Sequence, residues 1–146
     1  MDAPGIVGRE AELGAIDQFL GAAAAASRVL LIEGEVGIGK TTLLAEARAR
    51  ATGSGYTVLG ARPIESEIPL DFAALADLLE PVAVSVLHGI PAPQRRALAV
   101  ALLREEPGEH PPDPRTIATG TLAILRRLAD TAPVIVFVDD LPWVEA

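Results

Sequence analysis

The octapeptide Gly34-Glu35-Val36-Gly37-Ile38-Gly39-Lys40-Thr41 fits the pattern G-x-x-x-x-G-K-[ST], and each fixed residue has a chemical task around a polyphosphate. Glycines admit positive φ, so successive N–H groups can turn inward about an anion. A helix starting after the loop would add its unpaired first-turn N–H groups and the positive end of its dipole. Lys40 would reach the β- and γ-phosphates as a point charge, and the Thr41 hydroxyl could ligate Mg²⁺. The residues assigned to a nucleotide are Gly34, Gly37, Ile38, Gly39, Lys40, Thr41 and Thr42. Drawn at random from this composition, the octapeptide would arise on the order of 0.0006 times in such a chain. Lys40 carries further weight as the only lysine among twelve basic residues. Glu35, an acid inside the cradle, is expected to face solvent.

A phosphate loop needs a second carboxylate to hold the Mg²⁺ shell, at the carboxyl end of a buried strand, where ligands collect in open α/β sheets. The apolar run Val134-Ile135-Val136-Phe137-Val138 leads straight into Asp139-Asp140. Asp139 is therefore assigned to the metal side, and Asp140 to polarising an attacking water. The histidines, His88 and His110, are too few for a metal centre and are read as structural or solvated. Arg126-Arg127 falls in the last turns of a helix, where cations favour the dipole, and is read as surface charge. Glu65 and Glu67 are read as loop charges.

The elements that must position these groups follow from periodicity. Leu13, Ile16 and Leu20 recur at helical spacing within a predicted helix over 9–26. Val29-Leu30-Leu31-Ile32, ended by Gly34, is predicted as a buried strand feeding the loop. A helix is expected over 41–50 and a second strand over 56–59, introduced by Gly53-Ser54-Gly55. That order, strand, loop, helix, strand, implies a parallel α/β sheet. Further on, Phe72, Leu75, Leu78 and Leu79 share one helical face behind an Asp71 cap, and Pro81 ends that segment. A helix is expected over 94–103, then a mobile surface loop over 105–112, where three prolines, a glycine and three acids exclude regular structure. Asp113-Pro114 opens a last helix with Ile117, Thr121, Ile124, Leu125 and Leu128 as its buried stripe.

Composition narrows the function classes. The 146 residues suit one domain, and half are hydrophobic, so a core can be buried. A net charge of −8 repels phosphate backbones and argues against direct nucleic-acid binding by these residues. The absence of cysteine excludes disulfides, thiolate zinc sites and a thiol nucleophile. The start, Met1-Asp2-Ala3-Pro4, lacks a secretory pattern, and no apolar run is long enough for a membrane span. A soluble cytoplasmic chain without membrane partners is the expectation.

With these residues in view, the chain resembles a known family. Ile6-Val7-Gly8-Arg9-Glu10-Ala11-Glu12-Leu13 is similar to the N-terminal motif of AAA-like signal-transduction (STAND) ATPases, standing shortly before Gly34 to Leu44. Ile68-Pro69-Leu70-Asp71-Phe72-Ala73-Ala74-Leu75 and Val138-Asp139-Asp140-Leu141-Pro142-Trp143 resemble the large ATP-binding regulators of the LuxR family. The resemblance implies a three-layer α/β/α P-loop NTPase fold with a parallel sheet, binding ATP and Mg²⁺. It places Val7, Gly8 and Arg9 against the adenine end of the nucleotide. Pro142 stands where the family usually has histidine, and Glu145 near its usual aspartate, two departures at that turn. Against the family, the chain reads as truncated: the N-terminal motif and helix over 1–27, then a partial ATPase core over 28–146. The sheet would lack the strand that relatives insert between the loop strand and the Asp139 strand, leaving edges open to self-association. The expected function is the nucleotide module of a helix-turn-helix transcriptional regulator. The alternatives are a small active NTPase or P-loop kinase, and a non-functional remnant.

Overall fold

The structure is a computed structural model and describes residues 8–23, 25–63, 72–82 and 84–140. Among these residues it contains six helices and a two-stranded parallel sheet. The chain divides into two compact units, Met1–Tyr56 and Thr57–Ala146.

The first unit is a helix pair with the glycine loop between its members. Helix α1, Glu10–Ala23, buries Ile16 and Leu20, and helix α2, Lys40–Gly53, buries Leu43, Ala47 and Ala51. Polar ties fasten the pair. Arg50 donates to Asp17 at 2.6 Å and to Glu46 at 2.9 Å, while the Tyr56 hydroxyl donates to the Leu20 carbonyl. Helix α2 ends where Ser54 and Gly55 donate back to its last carbonyls, with Gly55 at φ 81.

One expectation fails here. Residues 27–35 form no strand, and Val29, Leu30 and Leu31 are 93%, 41% and 58% exposed. A strand is held by a ladder to a neighbour, and no other extended segment is described in this unit to supply one. The apolar run is without regular structure up to the loop.

The second unit carries the sheet. Strand β1, Thr57–Ala61, pairs in parallel with strand β2, Val134–Val138, in a register that sets Thr57 beside Val134 and Ala61 beside Val138. The connection runs through helices α3 (Ala73–Leu79), α4 (Val84–His88), α5 (Ala92–Ala101) and α6 (Pro114–Ala129). Leu59, Leu79, Val82, Ile90, Leu98, Ile117 and Ile124 meet in one core. Asp113 caps α6 as its sequence implies, accepting from the Arg115 N–H and the Thr116 hydroxyl, with Pro114 at the first helical position. The stripe on α6 is buried at Ile117 and Ile124, with Gly120 between them. Residues 105–112 lack regular structure, and nearly all are exposed. Helix α4 is an addition to the sequence reading, and α3 starts behind Phe72, at φ 65, while the expected Asp71 cap lies outside the described residues. No helix among the described residues is long and apolar enough to cross a membrane.

Glycines at two helix positions give opposite expectations. A Cβ on Gly120 would lie 2.9 Å from Leu98 Cδ1 and 3.3 Å from Gln94 Cβ, whereas one on Gly14 meets nothing within 4 Å. Leu98 is buried and cannot swing away. Gly120→Val should therefore lower stability by about 1–3 kcal/mol through overpacking. Gly14→Ala should raise it by about 0.5–1 kcal/mol through helix propensity alone. Urea denaturation of both variants checks the pair.

Candidate functional site

The glycine loop owes its conformation to two residues that lack a side chain. Gly37 and Gly39 hold φ of 82 and 95, in the region that favours glycine. Gly39 is the N-cap of α2, and no side chain caps that helix end. Lys40 begins α2, so Thr41 and Thr42 lie on its first turn with exposed side chains. Leu43, the next residue, is buried and anchors the turn; its N–H donates to the Gly39 carbonyl at 3.0 Å.

The loop's carbonyls are engaged by cations. The Lys40 ammonium donates to Gly34 O at 2.9 Å and to Glu35 O at 3.0 Å, which curls the side chain back over the loop. Ile38 N–H also donates to Glu35 O, at 3.3 Å. Glu35 itself is exposed, as expected. Gly34 has its own steric reason to be glycine, since a Cβ there would meet Ile38 Cγ2 at 2.9 Å.

Of the N-terminal motif, Val7 lies outside the described residues. Gly8, at φ 80, donates its N–H to Glu10 Oε1 at 3.2 Å. Arg9 reaches the loop: one terminal nitrogen donates to Ile38 O at 2.6 Å and the other to Glu12 Oε1 at 2.7 Å. The Arg9 hydrogen bond holds the Glu12 carboxyl below its ordinary value. A depressed carboxyl pKa means the pair is fully formed at neutral pH and is lost only as pH falls through that lowered value.

Asp139 and Asp140 belong to the second unit, directly after β2. Asp139 extends the ladder by one bond, its N–H donating to Ala61 O at 3.2 Å, and its side chain is only 15% exposed. Asp140 sits at φ 55, a left-handed position that aspartate tolerates, and its N–H donates to Asp139 Oδ1 at 3.2 Å. The parallel register brings Arg62, the residue after β1, beside Asp139, with Nε 3.9 Å from Oδ2. The Arg62 N–H in turn donates to Asp77 Oδ2 on α3 at 3.4 Å. Sequence reasoning missed Arg62. Its signal was available only jointly, from two strands ending in register, one followed by arginine and the other by aspartate.

The remaining candidates stay peripheral. His88 and His110 are exposed, and Arg126-Arg127 occupies the last turn of α6. Among the described residues no three His, Asp or Glu side chains gather as a metal site. Glu65, Glu67, the segment Ile68 to Asp71 and residues Leu141 to Glu145 lie outside the described residues.

A glycine loop with positive φ at two positions, opening directly onto a helix that begins Lys-Thr-Thr, is the phosphate-loop arrangement of an ATPase domain. Residues 5–146 match the family described as AAA ATPase domain, and the chain belongs to that family. No curated protein and no solved structure matches it.

The backbone account of the loop is testable without a ligand. Gly37→Ala and Gly39→Ala should each cost about 1–2 kcal/mol, because an L side chain at positive φ is strained even where space is open. Gly53→Ala, where a Cβ also meets nothing within 4 Å and φ is not positive, should cost nothing comparable. Denaturation followed by circular dichroism reads the difference, and equal losses at Gly53 and Gly39 would refute the account.

Proposed function

We propose that this chain is an ATP- and Mg²⁺-binding module, with Gly34, Gly37, Ile38, Gly39, Lys40, Thr41 and Thr42 around the phosphates. The observation that carries the reading is the loop itself. Gly37 and Gly39 hold positive φ, and α2 starts at Lys40 without a side-chain cap. The residues fit a polyphosphate. Three N–H donors on the Lys40 ammonium, two of them now on loop carbonyls, can be redirected to anionic oxygens, and the first-turn amides of α2 add the dipole's positive end.

In this reading Thr41 and Asp139 are the protein oxygens for the metal. Mg²⁺, when bound, supplies positive charge that draws electron density from the phosphates. Asp139 is suited to its part because it is mostly buried at the end of a strand, which fixes its carboxylate in place. Asp140 is assigned to polarising the attacking water. The AAA-family fold entailed is a three-layer α/β/α arrangement, and the parallel β1–β2 pair supports it.

The finer reading is the nucleotide module of a LuxR-type helix-turn-helix transcriptional regulator. Its support is the motif from Ile6 to Leu13 ahead of the loop, together with the segments at 68–75 and 138–143. Nucleotide state would then bias a conformational equilibrium that controls transcription. DNA contact is not assigned to these residues, whose net charge is −8.

Ligand-dependent stability tests the binding reading. With free Mg-ATP at 100 times its Kd, the chain should gain about 2.7 kcal/mol against urea. The Lys40→Ala protein should gain nothing at the same concentration. Equal shifts in both proteins would sink the assignment of Lys40, and no shift in either would sink the binding reading itself.

A further inference from the structure

We propose that Arg9 is a positioning residue of the phosphate loop, which it orients by holding the Ile38 carbonyl while Glu12 aims its guanidinium. The inference rests on the nucleotide reading and gives Arg9 a task other than contact with the base. Its two hydrogen bonds, 2.6 Å to Ile38 O and 2.7 Å to Glu12 Oε1, have the short lengths of charge-assisted bonds. They leave from the two terminal nitrogens of one rigid plane, so fixing one nitrogen on Glu12 fixes the direction of the other.

What this achieves follows from peptide geometry. No peptide bond among the described residues is cis. The Ile38 carbonyl and the Gly39 N–H therefore share one trans peptide plane and point in opposite directions. A guanidinium on Ile38 O thus sets where the Gly39 N–H points. Gly39, at φ 95, has no side chain to help fix that plane, so the bond on Ile38 O adds a constraint to those at the start of α2.

Arg9 is itself well anchored. Its own carbonyl accepts from Leu13 N–H at 2.9 Å in the first turn of α1. Helix α1 is packed and ion-paired to α2 through Ile16, Leu20 and the Asp17–Arg50 bond, and α2 starts within the loop, at Lys40. The loop is therefore gripped from two sides: by α2 at its end and by Arg9 across its carbonyl.

The experiment compares the unsubstituted chain, Arg9→Gln, Arg9→Lys and Glu12→Gln. Two readouts are taken: amide hydrogen exchange without ligand, and affinity for Mg-ATP and for inorganic triphosphate with Mg²⁺. In Arg9→Gln, exchange should rise severalfold across residues 36–43 and stay unchanged in α2 beyond Ala47. Affinity for ATP and for triphosphate should fall by the same factor, about tenfold for a lost hydrogen bond to a charged group. Arg9→Lys should not rescue either readout, since one ammonium cannot reproduce the planar fork. Glu12→Gln should move both readouts in the same direction by less.

Unchanged exchange in the loop would overturn the proposal. A loss confined to ATP, with triphosphate binding intact, would also overturn it and put Arg9 on the base or sugar. Should Arg9→Gln lose its fold, Glu12→Gln decides by the same two readouts. Should the unsubstituted chain bind neither ligand, the nucleotide reading fails, while the exchange comparison still decides whether Arg9 holds the loop.

Discussion

A loop that offers its backbone amides to an anion leaves carbonyls that must find donors of their own, from side chains or from water. Every peptide unit carries both poles, and a ring of N–H groups turned inward leaves C=O groups that need donors. In this protein two cations meet that need. Lys40 takes the carbonyls of Gly34 and Glu35, and Arg9 takes that of Ile38. The two are held differently. Arg9 is tied by Glu12 and belongs to the scaffold, while Lys40 hangs from the first residue of α2 on a flexible stem. The division of labour follows the chemistry of the side chains: a planar, always-charged fork for the fixed contact, a compact ammonium for the movable one.

A comparable constraint operates at the end of the sheet. Parallel pairing with Ala61 beside Val138 makes the residues just past each strand neighbours, and these are Arg62 and Asp139. The arginine is 67% exposed and the aspartate 15%, so the pair is unequal. Asp139 is set by the ladder bond from its own N–H, and Arg62 is a solvated counter-charge at a separation too long for a hydrogen bond. Such a contact contributes little to stability.

Much of this was legible in the sequence because it is local. Asp113-Pro114 foretold the cap and start of α6, since both act within one turn. The helical stripes of α1 and α6 were readable from spacing, and the strand over 134–138 from its unbroken run of β-branched and aromatic residues. The glycines of the loop declared their positive φ through the motif itself. What escaped is non-local. Nothing adjacent in sequence links Arg9 to Ile38, or Arg62 to Asp139; helix packing creates the first contact and strand register the second. Gly120 likewise reads as a flaw in a helix until Leu98 of α5 is seen against it.

The segment from Val29 to Ile32 shows the same division most sharply. A helix satisfies its hydrogen bonds within its own sequence, so a good helical pattern comes close to being sufficient. A strand satisfies them in a neighbour, so even an ideal β-forming run specifies only half of what it needs. Val134 to Val138 has β1 beside it and is a strand; Val29 to Ile32, of similar composition, has no ladder and exposes Val29 almost entirely. The loop that follows nonetheless keeps its positive-φ glycines and its bonds to Arg9 and Lys40. Those bonds come from Arg9, just ahead of α1, and from Lys40 at the start of α2, all within the first unit.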